Sequence, residues 1–319
     1  MGHRKHSAPR RGSLAYRPRG RAKSLIPRIR TWPKVESEKP ILLGFPGYKA
    51  GTAHVITVDD RAKTPNFGKP LYNMSSVLTI PDTQVVGFRL YGHENGQDMA
   101  IADVKQAGQT TVEKLPLDRT SRVAAIFSSV PRDVGLSQKK PVVLEVGVSG
   151  GDVKAQAEFV MGLLGKKVKF TDVFKAGMYV DVLGITKGKG FEGPVTRFGV
   201  KRKQHKSRKS VRAVGVIGPW HPAAVMYTIA RAGQMGFHQR TETGKRILLT
   251  GNASTSPVTP PGGFEHFGNV GGDYAVVGGS VPGPARRFVM VRFRARGFTK
   301  NLTSPQVIEV STMERKRSA

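Results

Sequence analysis

The stretch Met178-Tyr-Val-Asp-Val-Leu-Gly-Ile185 decides the fold class, because it is a short β-branched run of the kind that forms a strand. Similar runs, bounded by glycine or proline, recur at Ala53–Val58, Ser76–Ile80, Val85–Leu90, Ala213–Ile217 and Phe288–Phe293. Short strands joined by tight turns are typical of small barrels. The sequence therefore predicts a β-rich fold built around a β-barrel.

A mixed block interrupts these runs. Val123–Ser128 and Val142–Val148 are predicted strands, and Asp152–Leu164 is a predicted amphipathic helix. The apolar side chains of the helix recur at helical spacing and are interpreted as core packing: Val153, Ala157, Val160, Met161 and Leu164. We expect an α/β insertion at residues 82–175 inside a barrel made of 40–81 and 176–300.

Charge is the outlying property of this chain. Its 319 residues, about two domains' worth at roughly 150 residues each, carry 52 Lys and Arg against 22 Asp and Glu, a net charge of +30. Residues 1–34 hold eleven basic and no acidic side chains, residues 35–192 twenty and seventeen, and residues 193–319 twenty-one and five. Self-repulsion of this size calls for a polyanionic partner, and nucleic acid fits best.

The first basic region is an N-terminal arm, residues 1–39, too poor in large apolar side chains to fold alone. We expect it to thread along phosphates; a solvated tail is the alternative. Its prolines argue against an amphipathic transit peptide. The candidate RNA-binding residues of the arm are Arg4, Lys5, His6, Arg10, Arg11, Arg17, Arg19 and Arg21.

The second basic region is a central loop at about 194–240, within an acid-free stretch that runs from 193 to 241. Eight like charges fall within sixteen residues, and bound phosphates would relieve their repulsion; a solvated charge run is the alternative. The candidates here are Arg197, Lys201, Arg202, Lys203, His205, Lys206, Arg208, Lys209 and Arg212, followed by Arg231 and Arg240. Residues 301–319 are predicted to be a basic C-terminal tail.

Two further motifs adjoin the central loop. The glycine-rich segment 184–190 places Lys187 and Lys189 where backbone amides and ammonium groups could hold a phosphate. A hairpin turn that needs positive φ explains the same glycines equally well. In the second motif, Trp220, His221 and Pro222 follow Pro219, so a stiff loop could present Trp220 to an unpaired base. Burial of Trp220 at a barrel edge is the alternative.

Several kinds of chemistry are excluded by what the sequence lacks. With no cysteine there is no thiolate nucleophile or disulfide, and His205, His221 and His238 are not at metal-ligand spacing. No Walker loop, nucleophile elbow or zinc-protease motif occurs. We predict no catalytic residue, metal or cofactor. No apolar run is long enough to span a membrane, and no secretion signal opens the chain.

The chain resembles the universal large-subunit ribosomal protein L-three family, in its archaeal and eukaryotic form, over nearly its whole length. The resemblance lies in the segments His6-Ser-Ala-Pro-Arg-Arg-Gly-Ser13, Asp181-Val-Leu-Gly-Ile-Thr-Lys-Gly-Lys-Gly-Phe-Glu-Gly193, Trp220-His-Pro-Ala223, Ala230-Arg-Ala-Gly-Gln-Met-Gly236 and Gly279-Ser-Val-Pro-Gly-Pro284. Their combination in this order is specific to that family.

The resemblance implies a translation-protein-type barrel whose arm and central loop enter large-subunit rRNA. It implies early binding during subunit assembly near the 3′ region of that rRNA, neighbouring ribosomal proteins as partners, and a Trp220 loop that approaches the peptidyl-transferase centre without joining its chemistry. Arg208 stands where eukaryotic relatives often have histidine, so no histidine-methylation site is carried over.

The predicted function is therefore that of an rRNA-binding structural protein of the large ribosomal subunit, in the cytoplasm. No membrane partner and no obligate homo-oligomer is expected. An RNA-modifying enzyme is the main alternative, but the sequence lacks a cofactor loop and a nucleophile. A translation factor would need a nucleotide-binding domain, which is absent, and a DNA-compacting protein would have to prefer DNA to RNA.

Overall fold

The computed structural model describes residues 17–94, 96–105, 115–207, 210–296 and 303–311. The chain divides into two compact units. We call Leu25–Ile185 with Arg240–Ala319 the sheet unit, and Met1–Ser24 with Thr186–Gln239 the basic unit. The sequence of the basic unit contains nineteen Lys and Arg and one acidic residue, Glu192, whereas that of the sheet unit contains thirty-three and twenty-one.

The larger sheet of the sheet unit has seven strands among the described residues. They are β2 (Gly44–Val58), β3 (Pro70–Ile80), β9 (Tyr179–Ile185), β12 (Gln239–Asn252), β13 (Asp273–Gly278), β14 (Phe288–Phe293) and β15 (Val307–Ser311). Their order is β14-β9-β12-β13-β3-β2-β15. Because β14 also pairs with β2, opposite Gly47 at Val289, the strand path closes on itself and leaves β15 outside the ring.

The second sheet is formed mainly by the block predicted as an insertion. It orders β1 (Ile41–Leu42), β7 (Val142–Ser149), β6 (Arg122–Ser129), β4 (Thr83–Glu94) and β5 (Gln97–Val104), and β8 (Lys167–Val168) pairs with β4. Helix α1 (Val153–Leu163) packs on β4 and β6. Ala157 and Val160 of α1 are fully buried, because the apolar stripe of the helix faces the sheet.

A chain of aromatic rings joins the two sheets in one core. Phe45 of β2 meets Phe127 of β6 edge to face, with ring centroids 6.1 Å apart. It also meets Phe170 of α2 (Phe170–Val173) at 5.7 Å. From there the contacts run through Phe174 to Phe293 of β14. Edge-to-face pairs of buried rings add to the energy of area burial, so these rings bind both sheets into a single body.

The final part of the predicted arm packs onto the sheet unit. Val35 and Ser149 exchange hydrogen bonds through the serine hydroxyl, each 3.0 Å long. A Cβ on Gly147 would lie 2.6 Å from the Trp32 ring, so the absence of a side chain at Gly147 makes room for the indole. Residues 25–39 therefore belong with the sheets, while residues 17–24 belong with the basic unit.

The predicted β-rich class and most of the predicted elements are confirmed. Helix α1 lies within Asp152–Leu164, and β14 begins and ends where the sequence predicted. One element is wrong: Ala213–Ile217 forms no strand. A strand requires a neighbour with which to exchange backbone hydrogen bonds, and no strand pairs with this β-branched run in the described part of the chain.

The basic unit contains little regular structure. Strand β10 (Gly188–Glu192) pairs with β11 (Gly233–Gly236), and α3 (Pro194–Phe198) ends at Gly199, whose φ is 66°. Between α3 and β11 the described residues, 199–207 and 210–232, form neither helix nor strand. Side-chain contacts therefore shape most of this unit.

Candidate nucleic-acid interface

The predicted RNA-binding residues gather in one unit. Those that the structure describes lie in the basic unit, apart from Arg240, which belongs to the sheet unit. Seven predicted residues fall outside the described ranges: Arg4, Lys5, His6, Arg10, Arg11, Arg208 and Lys209. Arm and loop candidates that are distant in sequence thus share one compact body.

Most of the described candidates have exposed side chains. The exposed set is Arg17, Arg21, Lys187, Lys189, Lys201, Arg202, His205, Lys206, Arg212 and Arg231. Arg19, Arg197, Lys203 and Arg240 are half-buried. An exposed cation keeps its hydration and remains available to an external phosphate, so the exposed set is the surface that a polyanion would meet.

Phe198, at the end of α3, organises the arginines of the basic unit. The Arg19 guanidinium lies 4.1 Å from the centroid of the buried Phe198 ring, and those of Arg197 and Arg17 lie at 5.2 and 5.7 Å. Cations prefer the negative face of an aromatic ring. Cation–π contact therefore holds arm residues 17–19 beside the central loop.

Arg197 bridges two distant backbone segments of the central loop. Its Nε donates to the Gln234 carbonyl and its Nη1 to the Arg231 carbonyl, both at 3.0 Å. Its own carbonyl accepts a hydrogen bond from Arg19 Nη1. The planar guanidinium fork suits this double bridge to backbone oxygens. Arg197, predicted only as a phosphate contact, thus also positions β11.

Lys187 lies just before β10 and Lys189 lies within it, and both side chains are exposed. At Gly236 the two segments approach so closely that a Cβ would lie 1.9 Å from the Lys187 carbonyl oxygen, and φ is +74°. That oxygen accepts a hydrogen bond of 3.1 Å from the Phe237 amide. The alternative of a hairpin at 184–190 is wrong, because β10 pairs with β11 and lies in a different sheet from β9. The positive φ that it required is present at Gly190.

His238 fixes the arm, a role that the sequence did not reveal. Its Nε2 accepts from the Gly236 amide at 3.0 Å, so Nδ1 carries the proton and donates to the Gly20 carbonyl at 2.8 Å. The Ala22 amide donates to the Phe237 carbonyl beside it. Sequence reasoning considered His238 only as a metal ligand, and its single signal was its place in an acid-free stretch next to a family motif.

Trp220 is 87% exposed, which excludes the alternative that it is buried at a barrel edge. His221 and Pro222 are exposed beside it. The same segment also exposes Val216, Ile217 and Tyr227. A run of exposed apolar side chains on a cationic body is typical of an interaction surface.

The described ranges contain neither a metal-binding cluster nor a membrane-spanning helix. No group of three or more histidine and acidic side chains is placed there to hold a metal ion. None of the described helices combines the length and the apolar character that crossing a bilayer requires.

Comparison with known families decides the relationship. A family model described as Ribosomal protein L3 matches residues 1–104 and 97–313 of this chain. The chain belongs to the ribosomal protein L3 family. The predicted resemblance is therefore confirmed, and with it the predicted structural, non-enzymatic role in the ribosome.

Archaeal relatives match the L3 chain along nearly its full length. The large ribosomal subunit protein uL3 of Methanococcus vannielii is 41% identical over 327 residues, covering 96% of this chain and 97% of the relative. The uL3 proteins of Caldivirga maquilingensis and Pyrobaculum aerophilum are each 42% identical. They cover 96% and 97% of this chain, and 96% and 98% of their own lengths.

Proposed function

We propose that this L3-family protein is a constituent of the large ribosomal subunit, a cytoplasmic particle, and that its basic unit binds large-subunit rRNA during assembly. One observation carries the proposal: nineteen cationic side chains against one acidic residue in the sequence of that unit, most of the described candidates being exposed. The archaeal relatives are named as large-subunit proteins, which supports the same role.

The proposed mechanism is neutralisation of phosphates where rRNA helices pack against one another. Arginine forks make two parallel bonds to a phosphate, and lysines supply mobile point charges. The candidates Arg17, Arg21, Lys187, Lys189 and Lys201–Lys206 would supply these contacts, with neighbouring ribosomal proteins as further partners. The exposed Trp220 segment is proposed as the part that approaches the peptidyl-transferase centre.

The test of rRNA binding neutralises Arg202, Lys203 and Lys206 together by substitution with glutamine. Affinity for a transcript from the 3′ region of large-subunit rRNA is measured over a range of salt concentrations. We expect weaker binding and a slope of log affinity against log salt that is about 2–3 units shallower, since each lost phosphate contact removes roughly 0.7–0.9.

The matched control replaces Arg132, Lys139 and Lys140, which are exposed in the sheet unit, by glutamine. It removes the same charge from the sheet unit and should leave the slope of log affinity against log salt nearly unchanged. Equal slopes for the two triple variants would contradict a phosphate-binding loop. The thermal melting of both proteins should match the parent, because all six side chains lie at the surface or are half-buried.

The proposal for Trp220 is tested in ribosomes that carry Trp220→Ala. Subunits should assemble, while aminoacyl-tRNA accommodation changes. Tyr72→Ala, at a site 77% exposed in the sheet unit, is the control. Unaltered accommodation kinetics with Trp220→Ala would show that the Trp220 segment acts elsewhere.

A further inference from the structure

A cavity of about 500 Å³ opens in the basic unit. Its lining combines Arg17, Arg19 and Arg231 with Phe198, Met226 and Tyr227. Ligand pockets in proteins span roughly 300–1,000 Å³, so the cavity has room for one small group and not for a helix of any kind.

Carbonyl oxygens hold two of the arginines that line this cavity, Arg17 and Arg197. Arg17 Nη1 donates to the Tyr227 carbonyl, and Arg197, which also lines the cavity, donates to two further carbonyls. A carbonyl accepts a hydrogen bond but supplies no negative charge. Glu192 is the single acidic residue in the sequence of the unit. A bound anion would therefore lower the electrostatic energy of the wall.

Part of the lining is apolar and exposed. Tyr227 is 79% exposed, although its ring lies 5.8 Å from the Arg17 guanidinium. Met226 and Val225 are 45% and 43% exposed beside it. A planar base could lie on these side chains and remove their apolar surface from water. Bases stack both on aromatic rings and on the planes of arginine side chains.

We infer that the cavity takes one unpaired nucleotide of RNA. Its phosphate pairs with Arg17 and Arg231, and its base stacks on Tyr227 over Met226. Duplex RNA keeps its bases inside the stack and cannot present one to Tyr227, so the cavity discriminates single-stranded from paired RNA. The inference rests on the proposed rRNA-binding function and names the kind of RNA that binds at this one site. The site is separate from Trp220, which does not line the cavity.

The test compares the full-length protein with Tyr227→Ala and Tyr227→Phe. Affinity for a short single-stranded oligouridine and for an RNA duplex is measured by fluorescence anisotropy at one salt concentration. Tyr227→Ala should weaken single-strand binding by about tenfold, the range of a lost base stack, and leave duplex binding within about twofold. Tyr227→Phe keeps the ring and should bind both RNAs like the parent.

Tyr72→Ala is the matched control, because Tyr72 is equally exposed, at 77%, but belongs to the sheet unit. It should change neither affinity. Equal loss of single-strand and duplex binding with Tyr227→Ala would overturn the nucleotide cavity and leave the proposed function standing. Failure of the parent protein to bind either RNA would overturn both.

A second variant tests whether phosphate and base belong to one nucleotide. Arg231→Gln removes an exposed charge and keeps the backbone carbonyl that Arg197 uses. If one nucleotide bridges both side chains, the double variant with Tyr227→Ala should lose clearly less than the product of the two single losses. A loss equal to that product would mean separate sites and would overturn the inference.

Discussion

The sheet unit and the basic unit treat positive charge in opposite ways. In the sheet unit arginines meet carboxylates: Arg292 pairs with Asp181 at 3.0 Å, and Arg246 makes two hydrogen bonds to Asp60. In the basic unit Arg17 and Arg197 meet carbonyl oxygens and the Phe198 ring instead. These contacts fix the positions of the arginines without neutralising them. The sheet unit therefore pairs part of its positive charge with its own carboxylates, whereas the basic unit keeps its charge for a partner.

The difference shows how one chain supports both a folded body and a polyanion-binding surface. Buried cations need paired anions because the low dielectric of a core makes an isolated charge costly. Exposed cations face no such penalty. Their local contacts position them, and their mutual repulsion opposes that placement. Breaking each kind of contact should therefore give a different readout.

The largest expected effect follows from breaking the buried ion pair of the sheet unit. Asp181 is 1% exposed, and its carboxylate accepts from Arg292, from the Gly244 amide and from the Ala295 amide. Asp181→Asn leaves the Arg292 charge buried without a counter-charge and should lower the free energy of unfolding by about 3–5 kcal/mol. Chemical denaturation of the full chain measures it.

Asp82→Asn is the control, because the Asp82–Lys167 pair is exposed at 42% and 68%. Exposed pairs contribute about 0–1 kcal/mol. Similar losses for the two variants would show that the buried pair does not hold the sheet unit.

A smaller effect, confined to the basic unit, is expected from Gly236→Ala. The new Cβ would lie 1.9 Å from the Lys187 carbonyl oxygen, and the alanine would have to adopt a φ of +74°. Strands β10 and β11 must therefore separate. Amide hydrogen exchange should rise across β10 and β11 while the sheet unit keeps its protection.

Gly190→Ala provides the matched control for Gly236→Ala. It has a similar φ of +70° but nothing within 4 Å of the new Cβ. It incurs backbone strain alone, roughly 1–3 kcal/mol. If both glycine variants loosened the unit equally, close backbone approach would not be what holds these strands.

The smallest effect is a change in acid stability at Asp60. Hydrogen bonds from Arg246 lower the pKa of Asp60 to about 2 from its usual 3.8. A lowered folded pKa stabilises the protein fully above the unfolded value, and that contribution is lost as pH falls through the folded pKa. Asp60→Asn should therefore destabilise the protein at neutral pH, and its difference from the parent should shrink as pH falls from about 4 to 2.

Thermal melting across that pH range measures the effect, with Asp133→Asn at an exposed surface position as the control. A difference between parent and Asp60→Asn that stayed constant down to pH 2 would show that the Asp60 carboxylate is not the titrating group.

The local pattern of apolar residues was enough to predict individual helices and strands whose side chains are buried. The stripe from Val153 to Leu164 predicted α1, because one face of that helix turns to the core. The run at Phe288–Phe293 predicted β14, a strand whose first five residues are all buried. The run at Ala213–Ile217 is also rich in β-branched residues but forms no strand. A sheet depends on a partner strand, and nothing in the five residues themselves indicates whether one is adjacent.

The sequence predicted the kinds of residue at the candidate site but not their contacts. The acid-free stretches showed where cationic side chains concentrate in the sequence, and the sequence motifs showed to which family the chain is related. They could not show that Arg197 bridges two carbonyls, that His238 holds Gly20, or that Arg17 and Tyr227 line one cavity, since these partners are separated by up to 218 residues.

The order of residues along the chain determined the segregation of charge in this L3-family protein, because each basic or acidic side chain has a fixed place in the sequence. Tertiary structure decided which cations are matched by carboxylates, which serve as internal braces and which stay exposed, because pairing depends on distances of a few ångströms between residues far apart in sequence. It also decided that Trp220 faces solvent, since burial depends on the neighbours that the fold supplies.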